Sequence, residues 1–122
     1  INMRGQLQGF KCIYLPEAKV YHIGTATVGL YSDRYIYLCK RNDIFVLIRN
    51  YSLRMYFRYL WTILKHQFND IKYFTDRGQG FVLFKSKLDV FKMLLPMLSR
   101  RFRIQSSRTI PDSKIESLIV KS

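Results

Sequence analysis

From Ser52 onward, large apolar side chains recur at three- and four-residue intervals: Leu53, Phe57, Leu60, Trp61, Leu64 and Phe68. That is the period of one helix face, and it obliges the segment to find cover for that face. Arg54, Arg58 and Lys65 fall on a different side. The spacing predicts a helix capped by Ser52 and running to about Gln67, with the apolar stripe as a core-type face. Upstream, Ser32 or Asp33 can cap a mostly buried helix reaching about Arg49. Tyr35, Leu38, Asn42, Phe45 and Arg49 mark one of its stripes, and Ile36, Cys39 and Val46 another. Downstream, Asn69–Tyr73 reads as a short further turn and Asp76–Gly80 as a break. Phe81 to about Arg103 reads as one long helix with Phe84, Leu88, Phe91, Leu94, Leu95 and Leu98 on its apolar face. Pro96 lacks a backbone donor and predicts a bend near Met93–Pro96. Pro111-Asp112-Ser113 opens a last helix, in which Ser113 and Glu116 have capping-box spacing.

The first thirty residues follow a different pattern. Residues 1–8 read as the last turns of a helix, ended by Gly9. Phe10–Leu15 reads as a short strand buried on both faces, because only one of its alternate positions is polar. Pro16 and Glu17 make a turn, and Lys19–His22 reads as a second strand with Val20 and His22 on one face. Ile23–Tyr31, with Gly24, Thr25, Thr27 and Gly29, reads as a loop.

Twenty-one Lys and Arg face eight Asp and Glu, a formal net charge of +13 over 122 residues. An apolar content of 48% excludes a disordered tail. The longest apolar run, Ile44 to Ile48, is far short of the roughly 18–20 residues that cross a bilayer. The first residues mix Asn, Arg and Gln without an apolar core segment and do not read as a signal peptide. Cys12 and Cys39, far apart, make neither a zinc knuckle nor a disulfide framework and read as two buried thiols. Excess positive charge implies an anionic partner: nucleic acid, an anionic membrane surface or a phosphorylated substrate. No two acids are adjacent or at D-x-D spacing, which argues against a self-sufficient two-carboxylate hydrolase or an all-oxygen metal site.

The stretch Arg4-x-x-Leu7-x-Gly9-Phe10-Lys11-Cys12-x-Tyr14-x-Pro16-Glu17-Ala18-x-Val20-x-His22 is the most specific motif. It resembles the end of the catalytic domain of family 2 glycosyltransferases, in particular the rhamnosyltransferase-like members. Thr25-x-Thr27 matches the family's following loop loosely. Arg34-x-x-Tyr37-x-x-x-Arg41-Asn42, followed by Asn50, is similar to its next helix. The likeness is strong over residues 4–50 and merely compatible beyond. It implies an α/β fragment, mostly helical: two short strands from the end of a GT-A Rossmann-like domain, then several amphipathic helices. Residues 1–31 would be the C-terminal end of that GT-A domain, truncated at its N-terminus. Residues 32–122 would form a C-terminal helical region on the acceptor and membrane side.

The resemblance also implies a division of labour. The parent would be an inverting, metal-dependent glycosyltransferase acting in surface polysaccharide or glycolipid synthesis. It would work at the cytoplasmic face of the membrane on a nucleotide-diphosphate sugar and a glycan or lipid-linked acceptor. The D-x-D and base carboxylates would precede Ile1, so this chain has no catalytic residue and is expected to be inactive and poorly soluble alone. His22 would complete the shell of a divalent metal, Mn or Mg, in the parent; a hydrogen-bonded structural histidine is the other possibility. No cofactor is expected for the fragment by itself. Thr25 and Thr27 would close over the donor diphosphate, or form an ordinary loop, and Arg34 would counter phosphate charge. Arg4 would fix the preceding acidic motif, and Arg41 would pack with Asn42.

Two further features stand apart from the resemblance. The seven basic residues against one acid between Lys85 and Arg108, a net +6, suit a membrane-facing helix with Arg100, Arg101 and Arg103 at its end. Tyr51–Tyr59 (YSLRMYFRY) could stack on nucleic acid, but its core-type helical spacing disfavours that partner. A non-enzymatic basic module that binds membrane or nucleic acid in its own right is the alternative to the enzyme fragment.

Overall fold

A computed structural model describes residues 3–11, 13–21 and 29–118. Every regular element among them is a helix: α1 (Met3–Leu7), α2 (Asp33–Asn50), α3 (Leu53–Asp76), α4 (Gly80–Lys92), α5 (Leu94–Ser106) and α6 (Asp112–Leu118). The starts of α2 and α3 follow from side-chain caps; α4 and α5 begin without one. Ser32 Oγ accepts from Tyr35 N at 3.2 Å, and Ser52 Oγ accepts from Met55 N at 3.1 Å. Gly9 ends the α1 turn in the left-handed region, φ 83°, and a Cβ there would meet Thr109 Oγ1 at 3.0 Å.

The α/β assignment is overturned. The strands expected at Phe10–Leu15 and Lys19–His22 are absent among the described residues, and there is no sheet. Cys12 and His22 themselves lie outside those residues. A strand needs a neighbour for its ladder and a face to bury, and this segment has neither. Its backbone bonds are local, such as Ala18 N to Leu15 O at 3.2 Å and Lys19 N to Glu17 O at 3.0 Å. Ile13, Tyr14, Val20 and Tyr21 are 79–96% exposed. The apolar alternation is present in the sequence, but no strand among the described residues lies beside it. The Pro16-Glu17 turn does form.

α2 is the spine, packed along both α4 and α5, while α3 packs on α4. Three small apolar clusters hold the helices. Phe45, Val90 and Met97 join α2, α4 and α5; Ile36, Phe74 and Leu83 join α2, α3 and α4; Leu7, Met55 and Ile115 join α1, α3 and α6. The long helix expected over Phe81–Arg103 is two helices that meet at Met93. Pro96 is the third residue of α5, where its missing N–H would have had no partner within α5. α3 continues through Asn69–Tyr73 to Asp76, beyond the expected end at Gln67. Glu116 bridges to Arg58 at 3.1 Å instead of closing a capping box, and Ser113 is the second residue of α6.

The largest departure is the rotation of α3. Its inward positions are Met55, Tyr59, Ile63, Gln67, Asp70 and Phe74, a stripe with two polar members. Asp70 is 8% exposed and meets Lys40 of α2 at 2.9 Å; Gln67 accepts from Lys87 of α4. A carboxylate this deep requires a partner, and the pair fixes which side of α3 faces in. Asp70→Ala is expected to cost about 2–4 kcal/mol, read as the shift in urea midpoint at unchanged slope. A loss below about 0.5 kcal/mol, the range of ordinary surface changes, would show that the pair does not set the packing.

Candidate functional site

With that side of α3 turned in, its aromatic stripe is turned out. Leu53, Phe57, Leu60, Trp61, Leu64, Phe68 and Ile71 are all exposed, Phe57 by 77% and Trp61 by 78%. The apolar stripe on α4 and α5 is exposed as well. Phe81, Phe84, Leu88, Phe91, Leu95, Leu98 and Phe102 follow one another at alternating intervals of three and four residues across the Met93 junction. Only Leu94, of the face expected there, is half-buried.

The α3 and α4 stripes share one side of the molecule. α3 and α4 run antiparallel, since Phe74 clusters with Leu83 while Gln67 meets Lys87. Around α3 the order is Asp70 toward α2, Gln67 toward α4, then Phe68 and Leu64 outward. Around α4 it is Asp89 toward α2, Lys87 toward α3, then Leu88, Phe84 and Phe91 outward. Antiparallel helices with the same order of faces present the third face on the same side. The result is a two-helix platform of aromatic and aliphatic side chains on the side away from α2. α3, of 24 residues, extends it over about 36 Å.

Cations border this platform. Arg54, Arg58, Lys65 and Lys72 are exposed along α3, and Lys85, Lys92, Arg100 and Arg103 along α4 and α5. Arg101 turns inward: its Nη1 donates to the carbonyls of Ile48 and Tyr51, each at 2.6 Å, and its guanidinium lies over Tyr56. The membrane-facing trio expected from sequence is thus an exposed pair, Arg100 and Arg103, and one anchor at the C-terminal end of α2. Burial first, then the like charges of Arg4 and Arg100, lower the pKa of Arg49 below its usual value.

Three of the residues singled out from sequence, His22, Thr25 and Thr27, lie outside the described residues. Arg34 is exposed in the first turn of α2, on a cleft of about 580 Å³ shared with Tyr37, Lys85 and Asp89. Arg41 stacks over Tyr37 and Phe45 at 5.2 and 5.6 Å, while Asn42 points to solvent. Arg4 sits in α1 beside Arg49, Arg100 and Arg103. Cys39 is free and half-buried, and His66 is 65% exposed, 3.9 Å from Asp70. The described residues contain no group of three His, Cys, Asp or Glu able to hold a metal. The ligands that the resemblance implies, His22 and the D-x-D carboxylates of a preceding half, are not among the described residues. Sequence reasoning missed Asp70, whose lone carboxylate between Phe68 and Phe74 was the available signal.

Asp89 accepts a hydrogen bond from the Tyr37 hydroxyl, and Lys92 Nζ stands 3.3 Å away. The Tyr37 bond first, and Lys92 second, hold its carboxyl below the ordinary 3.8. A lowered folded pKa stabilises the fold above the ordinary value, and that contribution is lost as pH falls through the folded one. In Tyr37→Phe the Asp89 carboxyl is expected to titrate closer to 3.8, followed by carboxyl-carbon NMR. An unmoved titration would remove Tyr37 as the cause.

Comparison with protein-family models, with curated proteins and with solved structures gives no match.

Proposed function

We propose that this chain is the C-terminal helical region of a nucleotide-sugar-dependent family 2 glycosyltransferase, acting in surface polysaccharide or glycolipid synthesis, and that it holds the enzyme on an anionic membrane surface. By itself it carries out no transfer; the acceptor-activating carboxylate and the donor pocket would belong to a preceding half of the parent.

One observation carries the membrane role: the exposed apolar platform of α3, α4 and α5 with its cationic border. Monomeric soluble proteins rarely leave apolar patches beyond a few hundred Å² uncovered. Phe, Leu and Trp on one face with Lys and Arg along its edges is the composition of a helix lying in the headgroup region. Each cation near an anionic leaflet adds about 1 kcal/mol. None of the helices among the described residues is long and apolar enough to cross a membrane, so the contact proposed is interfacial.

Membership of the glycosyltransferase family is supported by residue pattern: Gly9-Phe10, Pro16-Glu17-Ala18 and the Arg34, Tyr37, Arg41, Asn42 series. The loss of the expected strands leaves that pattern as its support. A second reading, a non-enzymatic module that binds the membrane in its own right, is favoured by the completeness of the platform within this chain.

Trp61, the single tryptophan, is 78% exposed on the platform and reports directly. Its emission is expected to shift to the blue on mixing with phosphatidylglycerol vesicles and not with phosphatidylcholine vesicles. Phe84→Ser/Phe91→Ser, at two exposed positions, is expected to weaken flotation with anionic vesicles by about tenfold or more. Equal partition onto neutral lipid, or capture by single-stranded nucleic acid in preference to vesicles, would overturn the membrane role. Donor hydrolysis by the product of the full reading frame separates the two readings: activity makes the chain part of an enzyme, and a frame without an acidic pair and a D-x-D leaves the module.

A further inference from the structure

Four arginines from three helices line one cleft of about 210 Å³: Arg4 of α1, Arg49 of α2, and Arg100 and Arg103 of α5, with Ile104 at its side. No carboxylate lines it, and among the described residues none of the four makes an ion pair with Asp or Glu. Arg49 is held in place, Nε donating to Phe45 O at 3.0 Å and the guanidinium lying over the Phe45 ring. Its Nη groups carry no other bond among the described residues.

Helix dipoles explain part of this. Arg4, Arg49 and Arg103 each stand in the last turn of their helix, where a cation is favoured. That accounts for each residue separately and not for their convergence, because like charges brought together without a counter-ion repel. Four other cations are neutralised or capped: Lys40 by Asp70, Arg58 by Glu116, Arg108 by Asp112, Arg101 by two carbonyls. The four-arginine cleft is left with fork-shaped donors and no acceptor, the arrangement that recognises phosphoryl oxygens. A second cleft, of about 500 Å³, opens beside it and shares Arg4, Arg103 and Ile104, with Gln8, Phe10 and Ser107 on its far wall. It offers amide, hydroxyl and ring surface for the organic part of a ligand.

We propose that Arg4, Arg49, Arg100 and Arg103 form a binding site for a phosphate-bearing ligand, with a diphosphate group best matched to the four guanidinium groups. The site needs neither a catalytic half nor the apolar platform, although Arg100 and Arg103 also stand on the platform's cationic border.

The test is calorimetric titration of the chain with inorganic diphosphate, without lipid. Saturable binding near one per chain is expected. Arg100→Gln/Arg103→Gln, at two exposed positions, is expected to weaken it by about tenfold or more. Lys19→Gln/Arg77→Gln removes the same charge elsewhere and is expected to change it less than about twofold. Arg103→Lys keeps the charge and loses the fork, and is expected to fall between. Absence of saturable binding, or equal loss in the two double variants, would overturn the site. A parallel arm compares phosphatidic acid with phosphatidylglycerol vesicles of equal surface charge. Competition of diphosphate against phosphatidic acid alone would identify a lipid phosphomonoester as the source. Tight binding of diphosphate with no such competition would identify a free ligand.

Discussion

The contact between Asp70 and Lys40 decides more of this molecule than any apolar cluster does. At 2.9 Å in the seam between α3 and α2, it fixes the rotation of a 24-residue helix. Gln67 beside Lys87 extends the same polar seam toward α4. Once those groups face inward, the helix period carries Phe57, Trp61, Leu64 and Phe68 outward. Turning the helix over would leave the carboxylate without its cation, at a cost of several kcal/mol, and would also give up the packing of Met55 and Phe74. The exposed platform is the consequence, and it is the feature from which a membrane role is proposed.

A chain with 21 basic and eight acidic residues has to settle most of its cations without carboxylates. Aromatic faces and backbone carbonyls take that place here. Arg41 lies over Tyr37 and Phe45, Arg49 over Phe45, and Arg77 over Tyr73 at 4.4 Å. Arg101 closes the C-terminal end of α2 by donating to the Ile48 and Tyr51 carbonyls, with its guanidinium over Tyr56. Such contacts keep Arg41, Arg49 and Arg101 half-buried at modest cost, while Arg77 stays exposed. In the cleft of Arg4, Arg49, Arg100 and Arg103, Arg49 has such partners in the Phe45 carbonyl and ring, but four guanidinium groups meet there with no carboxylate in the lining.

Much of the helical layout was legible. Ser32 and Ser52 announce α2 and α3, Gly9 closes α1, and the Asp76–Gly80 stretch separates α3 from α4. The end of α3 was not, because Asn69–Tyr73 holds no proline or glycine and its helicity depends on Phe74 packing with Ile36 and Leu83. The strands were misread for the converse reason. Alternating apolar residues at Phe10–Leu15 satisfy the local pattern, but a ladder needs a partner strand that no described residue supplies. Of the candidate site, the basic end of α5 was legible as charge. The inward turn of Arg101 and the meeting of Arg103 with Arg4 and Arg49 were not.

The sequence by itself determined that the chain is strongly basic, that it is built on amphipathic helices after Ser32, and where most of them begin. Those are local properties, written in composition, caps and a 3.6-residue period. The tertiary structure decided which face of α3 is buried, that the α3 and α4 stripes share one side, and that four arginines separated by up to a hundred positions line one cleft. Periodicity defines a face without naming its partner. Only the packing of α2 against α4 and α5, with Lys40 waiting for Asp70, assigns one.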